Sequence, residues 1–374
     1  MASQTKSCSG VPSLAILDDY LSIASPHFKH LSDQQVKIEV FKSHIPQKSP
    51  EEQDAFVNKL KPFSMISAMR ERSPFPGEVL RRLPNLKVLL CTGAQFETFD
   101  LQTAKELGII VVAAPGKGRT DQQLPATARI QDIKHGGSHP ATQHTWAMLL
   151  ALARNVAIDD AAMKAGSWQT GLAMGLSGKT LGIVGLGRLG AAVARIGALA
   201  FGMRVICWSS SLNQQKADET AVQHGLPVEN EFGEKTFLAV DKETLFRSAD
   251  VVSVHYVLSA RSRGLIGKSD LALMKKDALI VNTSRGPLID EAALLDVAQA
   301  GRIRGVALDV FDAEPLPGNS PWRTEPWGQN GRSNVLLTPH MGYVEEEIMN
   351  KWYAETAENV ERWLEEKELL HRLV

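Results

Sequence analysis

Cysteine is scarce: Cys8, Cys91 and Cys207 are the only three in 374 residues. That is too few for a disulfide framework, and their spacing fits no metal site, so no metal is expected. Cys91 and Cys207 both close apolar runs, where a thiol behaves as a small buried hydrophobe. Charge of one sign is also missing. The formal net charge is -1, which gives no electrostatic reason to expect nucleic acid or an anionic membrane as partner. No apolar run is long enough to span a bilayer, and the opening MASQTKSCSG has no hydrophobic signal core, so a cytoplasmic location is expected. What remains is an ordinary globular composition, 44% hydrophobic and 22% charged, in a chain long enough for two domains.

Short apolar runs alternate with helical segments. LAIL, VKIEVF, MISAM, LKVLLC and GIIVVAA read as strands of a first domain. Ser49 and Glu52 form a capping box around Pro50, and a helix from Asp100 to Leu107 closes on Gly108. Alternating strand and helix imply a parallel, doubly wound sheet. From Ala141 one long helix, TWAMLLALARNVAIDDAAMKAG, leads to further strand candidates MRVICW, FLAV, VVSVHY, ALIVNTS, GVALDV and VLLTP. A last helix is expected from Val344 to Leu370. One helix cannot fold alone, so it is assigned back to the first domain. The expected boundaries are 1–140 plus 344–374 for a discontinuous first domain and 141–343 for the second. Pro115–Pro140, Pro227–Thr236 and Glu314–Ser333 read as loops, the last covering a rim of a cleft.

Gly185-Leu186-Gly187-Arg188-Leu189-Gly190 follows the apolar strand TLGIV and precedes the helix-like AAVARIGALAFG. Strand, glycine turn and helix in that order make the dinucleotide fingerprint. Gly185 permits the tight turn, Gly187 lets backbone N–H groups approach a pyrophosphate, and Gly190 allows close helix–strand packing. In such sheets ligands bind beyond the carboxyl ends of the strands, where Arg285, Asp309, Glu314 and His340 all fall. Each has an ordinary alternative: Arg285 could pair with Asp290, Glu314 could be a solvated turn residue, and His340 a satisfied loop histidine. Their convergence on one sheet edge favours chemistry.

The strings VGLGRLG, VNTSRGPLIDEAAL, GVALDVFDAEPLP and LLTPHMGY resemble the D-isomer-specific 2-hydroxyacid dehydrogenase family. LAILDDY, MRERSPFP and LKVLLCTGAQFETFDL extend the likeness over nearly the whole chain. The resemblance implies an α/β fold of two doubly wound parallel-sheet domains, a Rossmann NAD(P)-binding domain inserted into a flavodoxin-like substrate domain. It implies an oxidoreductase that reduces a small glyoxylate- or hydroxypyruvate-like 2-oxo acid to the D-2-hydroxy acid, or runs the reverse, by hydride transfer with NAD(P)(H). Arg285 would grip the substrate's carboxylate and carbonyl oxygen, His340 would be the acid–base group, and Glu314 would fix its tautomer. Asp309 is expected at the nicotinamide end, together with Thr283, Ser284 and Gly342. Arg188 and Leu189 would offer main-chain N–H groups to the pyrophosphate, and Thr92, Gly93 and Ala94 would bind the substrate carboxylate. A homodimer is expected through the helical stretch near Thr145–Ala165. An NAD(H)-binding co-repressor on the same fold is the alternative, although no basic tail or recognition helix supports it.

Three features depart from the family pattern: the serines after MRVICW, the Lys117–His135 segment, and Gln143, which stands where a Glu is common and has a local effect. Ser209, Ser210 and Ser211 stand after MRVICW where an NAD enzyme has an acid for the ribose, which leaves NADP open, but no Arg stands beside them to bind a 2′-phosphate and only Lys216 is near, so NAD is favoured. Lys117–His135 is a polar insertion, read as an exposed excursion or else a partial lid. Arg70 and Arg72 follow MISAM, either binding a distal polar group of the substrate or being neutralised by Glu71.

Overall fold

The computed structural model describes residues 10–121 and 139–374. The chain divides into two compact units, one formed by Met1–Arg129 with Glu346–Val374, the other by Ile130–Glu345. The Lys117–His135 insertion lies outside the described residues from position 122 onward.

The first unit holds β1 (Ser13–Ile16), β2 (Lys37–Val40), β3 (Met65–Met69), β4 (Val88–Thr92) and β5 (Ile110–Ala113), all parallel in the order β2-β1-β3-β4-β5. The order reverses between β1 and β3, which makes this a flavodoxin-like sheet with its switch point there. Alternate residues (Ala15, Ile66, Ala68, Leu89, Cys91, Val111) join one apolar cluster with Phe56, Val57 and Leu60 of the helix Pro50–Leu60. That helix starts at the expected capping box. Burial raises both thiols, that of Cys91 to about 12, so neither is a nucleophile at neutral pH.

The last helix, Glu346–Leu364, buries Met349, Trp352, Tyr353, Ala357 and Val360 and packs against β4. It ends six residues before the expected Leu370, because 365–368 is all charge and Glu366 turns into the left-handed region (φ 57). Its carboxylates hold the strand-exit segment. Glu355 accepts from the N–H groups of Gly116 (2.9 Å) and Gly118 (2.6 Å), Glu358 from that of Thr120 (2.8 Å), and Glu361 pairs with Arg119. The tail then lies along β5, where the Leu373 N–H donates to the Val111 carbonyl at 2.8 Å, covering an edge strand.

The second unit is a seven-stranded parallel sheet: β6 (Thr180–Val184), β7 (Arg204–Trp208), β8 (Leu238–Ala239), β9 (Val251–Val254), β10 (Leu279–Asn282), β11 (Gly305–Leu308) and β12 (Asn334–Leu337), in the order β12-β11-β10-β9-β6-β7-β8. Both faces are covered, so the strands are mostly apolar runs and the period of two only sorts them between faces. Val184, Val252, Val254, Ile280, Val306 and Leu308 enter one core, while Leu181, Ile183, Val251, Leu279, Val281 and Ala307 enter the other. The expected strand FLAV keeps only two residues, at the sheet's edge.

One expectation is corrected here. The long helix from Ala141 is two helices, Pro140–Ala153 and Val156–Lys164, broken where Asn155 takes a left-handed conformation (φ 56). Asn tolerates that region without a glycine. The Glu314–Ser333 loop also contains a short helix, Pro321–Thr324, with Trp322 and Trp327 stacked at 5.5 Å.

Candidate active site

The glycine turn sits where the strand order of the second unit reverses, between β6 and β9. The Gly185 N–H donates to the Trp208 carbonyl (2.8 Å), and the His255 N–H to that of Val184 (2.8 Å), tying the ends of β6, β7 and β9 together. Gly185 has φ 100, and a Cβ there would lie 2.7 Å from the His255 carbonyl oxygen. A Cβ on Gly190 would come within 2.1 Å of the Gly185 oxygen. Gly187 differs, since nothing lies within 4 Å of its Cβ position. Its side of the turn is open to solvent, so a ligand can approach the backbone there.

The helix Arg188–Phe201 begins at Gly187 with no side-chain cap, whereas Asn213, Asp241 and Asp290 cap their helices. The first-turn N–H groups of a helix have no intrahelical partner and point along the positive end of its dipole. Uncapped donors beside open space suit a pyrophosphate, so the residues present fit a dinucleotide. Gly190→Ala is expected to destabilise the unliganded fold by about 1–3 kcal/mol through forced overpacking. Gly187→Val should leave thermal unfolding nearly unchanged yet weaken NADH binding at least tenfold. Loss of stability in Gly187→Val comparable to Gly190→Ala would refute the distinction.

Three loops at the carboxyl ends of β10, β11 and β12 carry the polar groups. His340 follows β12 in a left-handed conformation (φ 55). For a residue other than glycine that is strained and has to be held by its surroundings. Asp309 does the holding. Its carbonyl accepts the His340 N–H (2.7 Å), and its carboxylate accepts the N–H groups of Met341 (2.7 Å) and Gly342 (2.9 Å) and the Thr338 hydroxyl (2.6 Å). His144 Nε2, on the helix Pro140–Ala153, completes the set at 3.1 Å. Asp309 is fully buried. Burial works to raise its carboxyl, but the hydrogen bonds from His144 and Thr338 prevail and hold it below the usual carboxylate range. Its carboxylate is spent on shaping the 338–342 turn.

Within that turn, His340 Nδ1 lies 2.6 Å from Glu314 Oε2, and Glu314 Oε1 accepts the Phe311 N–H at 2.9 Å. Only 12% of the His340 side chain is exposed, and Tyr343 meets its ring edge-on at 5.4 Å. A carboxylate bound at Nδ1 accepts a proton there and leaves Nε2 as the working nitrogen.

Arg285 leaves β10 with its Nη1 on the Ser284 carbonyl (2.8 Å) and its own carbonyl accepting from Asn282 Nδ2 (2.9 Å). The next residue, Gly286, allows the backbone of Phe311 to pass 2.1 Å from where a Cβ would be. So the Arg285 loop is seated on the loop that carries Glu314. Asp290, the alternative partner weighed above, accepts the Ala293 N–H (3.0 Å) as a helix cap. Ser284 donates to the Tyr256 carbonyl (2.8 Å), and Thr283 bonds to Thr145 (2.7 Å).

In the first unit, Thr92 ends β4 with its hydroxyl 2.8 Å from that of Ser67, and Gly93 follows at φ 110. The Arg70 stem lies so close to Gly93 that a Cβ would meet its Cγ at 2.8 Å. Arg70 Nε stands 3.3 Å from Glu71 Oε2, with its guanidinium over the Trp352 ring at 5.7 Å. Ala94 continues this strand-end loop. His144, Thr338 and Tyr256 were not anticipated from the sequence. Only Thr338, two residues before His340, had a local signal.

Among the described residues, no helix is long and apolar enough to cross a membrane. Residues 146–342 match the family described as D-isomer specific 2-hydroxyacid dehydrogenase, NAD binding domain. The chain is 34% identical to the glyoxylate reductase of Aeropyrum pernix, over 76% of this chain and 75% of that protein. It is 31% identical to the hydroxypyruvate reductase of Thermotoga maritima, over 81% and 85%. Its fold superposes with a TM-score of 0.74 on the phosphoglycerate oxidoreductase of Vibrio cholerae O395, at 32% identity over 95% of this chain and all of that one. With the glycine turn and the His340–Glu314 pair in place, the chain belongs to the D-isomer-specific 2-hydroxyacid dehydrogenases, a family of NAD-dependent oxidoreductases.

Proposed function

We propose that the protein reduces a small 2-oxo acid of the glyoxylate or hydroxypyruvate type to its D-2-hydroxy acid, or runs the reverse oxidation. The observation that carries this is the His340–Glu314 contact of 2.6 Å on a turn that Asp309 pins. His340 holds a proton at Nε2 for the substrate oxygen and takes it back in the oxidative direction. Glu314 fixes the ring's orientation and tautomer through the contact at Nδ1. Arg285 binds the carboxylate and carbonyl oxygens in one plane and favours the negative charge that grows on the carbonyl oxygen. In the first unit taken by itself, Thr92, Gly93 and Ala94 are the candidates for a carboxylate, and Arg70 walls them, its charge answered by Glu71. When bound, the nicotinamide cofactor would supply or accept hydride; Arg188 and Leu189 would hold its pyrophosphate, and Thr283, Ser284 and Gly342 would frame its nicotinamide end, with the buried Asp309 positioning Gly342. The names of the two relatives, glyoxylate reductase and hydroxypyruvate reductase, support the choice of substrate.

The test is consumption of NADH with glyoxylate, hydroxypyruvate and pyruvate, with chiral analysis of the product. Reduction of either of the first two to the D-hydroxy acid (or achiral glycolate) is expected. No turnover with any of the three would refute the proposal.

A homodimer is part of the same reading. The helix Val156–Lys164 buries none of its residues, and Val156, Met163, Trp168 (71% exposed) and Leu172 (91% exposed) are solvent-facing in the second unit. An exposed apolar patch of this kind is suited to self-complementary contact with a second copy. Light scattering should give twice the chain mass, falling to one chain mass in Trp168→Glu. A monomer at micromolar concentration would refute it.

A further inference from the structure

We infer that Asp18 is a positioning residue: from the end of β1 it fixes, through Ser73, the Arg70–Ser73 segment that walls Thr92–Ala94, and so sets the affinity for the oxo acid. This rests on the oxo-acid reduction proposed above. In a sheet ordered β2-β1-β3-β4-β5 the switch point falls between β1 and β3, the place where such sheets take a ligand. Asp18 lies just past Ile16, the last residue of β1, and is only 4% exposed. A carboxylate buried there has to be matched by donors. Its Oδ2 accepts the Ser73 hydroxyl at 2.8 Å, from the loop after β3. Its Oδ1 lies 3.0 Å from the Tyr20 hydroxyl, on its own loop, and 3.2 Å from His44 Nδ1, on the loop after β2. Burial and the Asp18 charge push the Tyr20 phenol up, so it stays protonated and donates. One carboxylate thus ties together the ends of three adjacent strands. The Asp19 carboxylate does no such work between loops, because it accepts the Ile23 (3.0 Å) and Ala24 (3.1 Å) N–H groups of its own loop.

What this tie holds is strained. Arg70 is left-handed (φ 53), a conformation that a long side chain keeps only when its surroundings impose it. Gly93 and Trp352 confine its side chain. Ser73 is buried and anchors the backbone that leaves it. Arg72, between the two, lies over the Tyr20 ring at 5.0 Å, so the phenol bonded to Asp18 also seats the segment's second guanidinium. Asp18 is itself left-handed (φ 56), which Asp tolerates.

The experiment is steady-state kinetics of NADH oxidation with glyoxylate and hydroxypyruvate for the full chain, Asp18→Gly, Asp18→Asn and Ser73→Ala. Gly takes the left-handed region freely, so Asp18→Gly removes the carboxylate alone, while Asn keeps an oxygen for Ser73. Asp18→Gly is expected to raise the KM for the oxo acid by roughly tenfold or more, with kcat and the KM for NADH within about twofold, since binding lost equally from ground and transition states leaves kcat alone. Asp18→Asn should bring that KM back to within about threefold of the parent. Ser73→Ala removes a single hydroxyl, keeps the test open where Asp18→Gly does not fold, and should raise the KM by roughly threefold or more. A merely structural role would lower kcat through loss of folded protein and leave KM unmoved. A smaller KM shift in Ser73→Ala, or in Asp18→Gly where it folds, or no recovery in Asp18→Asn, overturns the inference and leaves the oxo-acid reduction standing. No turnover in the parent overturns both.

Discussion

His340→Ala is expected to lower kcat by roughly 10²–10⁴-fold, the range for losing a positioned general acid–base group, while NADH binds within a few-fold of the unmodified protein. The two readouts separate because Nε2 serves the substrate oxygen, whereas the donors assigned to the cofactor's pyrophosphate lie on the glycine turn. The substitution has a second effect to control for. His340 occupies the left-handed region (φ 55), which Ala tolerates poorly. Asn enters that region readily, so His340→Asn keeps the turn and removes only the imidazole chemistry. Both variants should therefore be equally slow, with His340→Asn unfolding at nearly the native temperature. A His340→Asn protein with near-native turnover would reject the acid–base assignment.

Arg285→Ala is expected to cut kcat/KM by about 10³-fold, of the order found when a donor to a developing oxyanion is removed. Lys in its place should recover no more than about a tenth of the loss on a logarithmic scale of three decades, since an ammonium cannot hold two oxygens in a planar fork. The neighbouring Gly286 sits against the Phe311 backbone, which fixes where the Arg285 loop runs whatever side chain it carries. For that reason neither variant should unfold earlier than the parent by more than a few degrees. Unchanged KM and kcat in Arg285→Ala would remove Arg285 from the site.

The dinucleotide crevice was legible in the sequence because its signals are local. A strand, three glycines and a helix lie within a few tens of residues, and two of the glycines, Gly185 and Gly190, answer to a short-range steric need. The same holds for the parallel sheets, whose strands are short apolar runs separated by helices. What could not be read depended on contacts across the chain. His144 reaches Asp309 from 165 residues away, and Ser210 meets Tyr256 across 46. Nothing in the residues around His144 or Tyr256 marks them as different from other core-edge aromatics. The break at Asn155 was hidden for another reason: Arg154-Asn155-Val156 carries neither glycine nor proline, and apolar residues continue on both sides of it.

The glutamates of the helix Glu346–Leu364 and the tail along β5 have a consequence for biosynthesis. The second unit is written in one unbroken stretch, so it can close while the ribosome is still working. The first is written in two pieces, and its sheet stays without the helix that packs on β4 until residues 346–364 have been made. At about 5–20 residues per second, the nascent β-strands wait tens of seconds with that face bare, a window in which a chaperone or a neighbouring nascent chain has access to it.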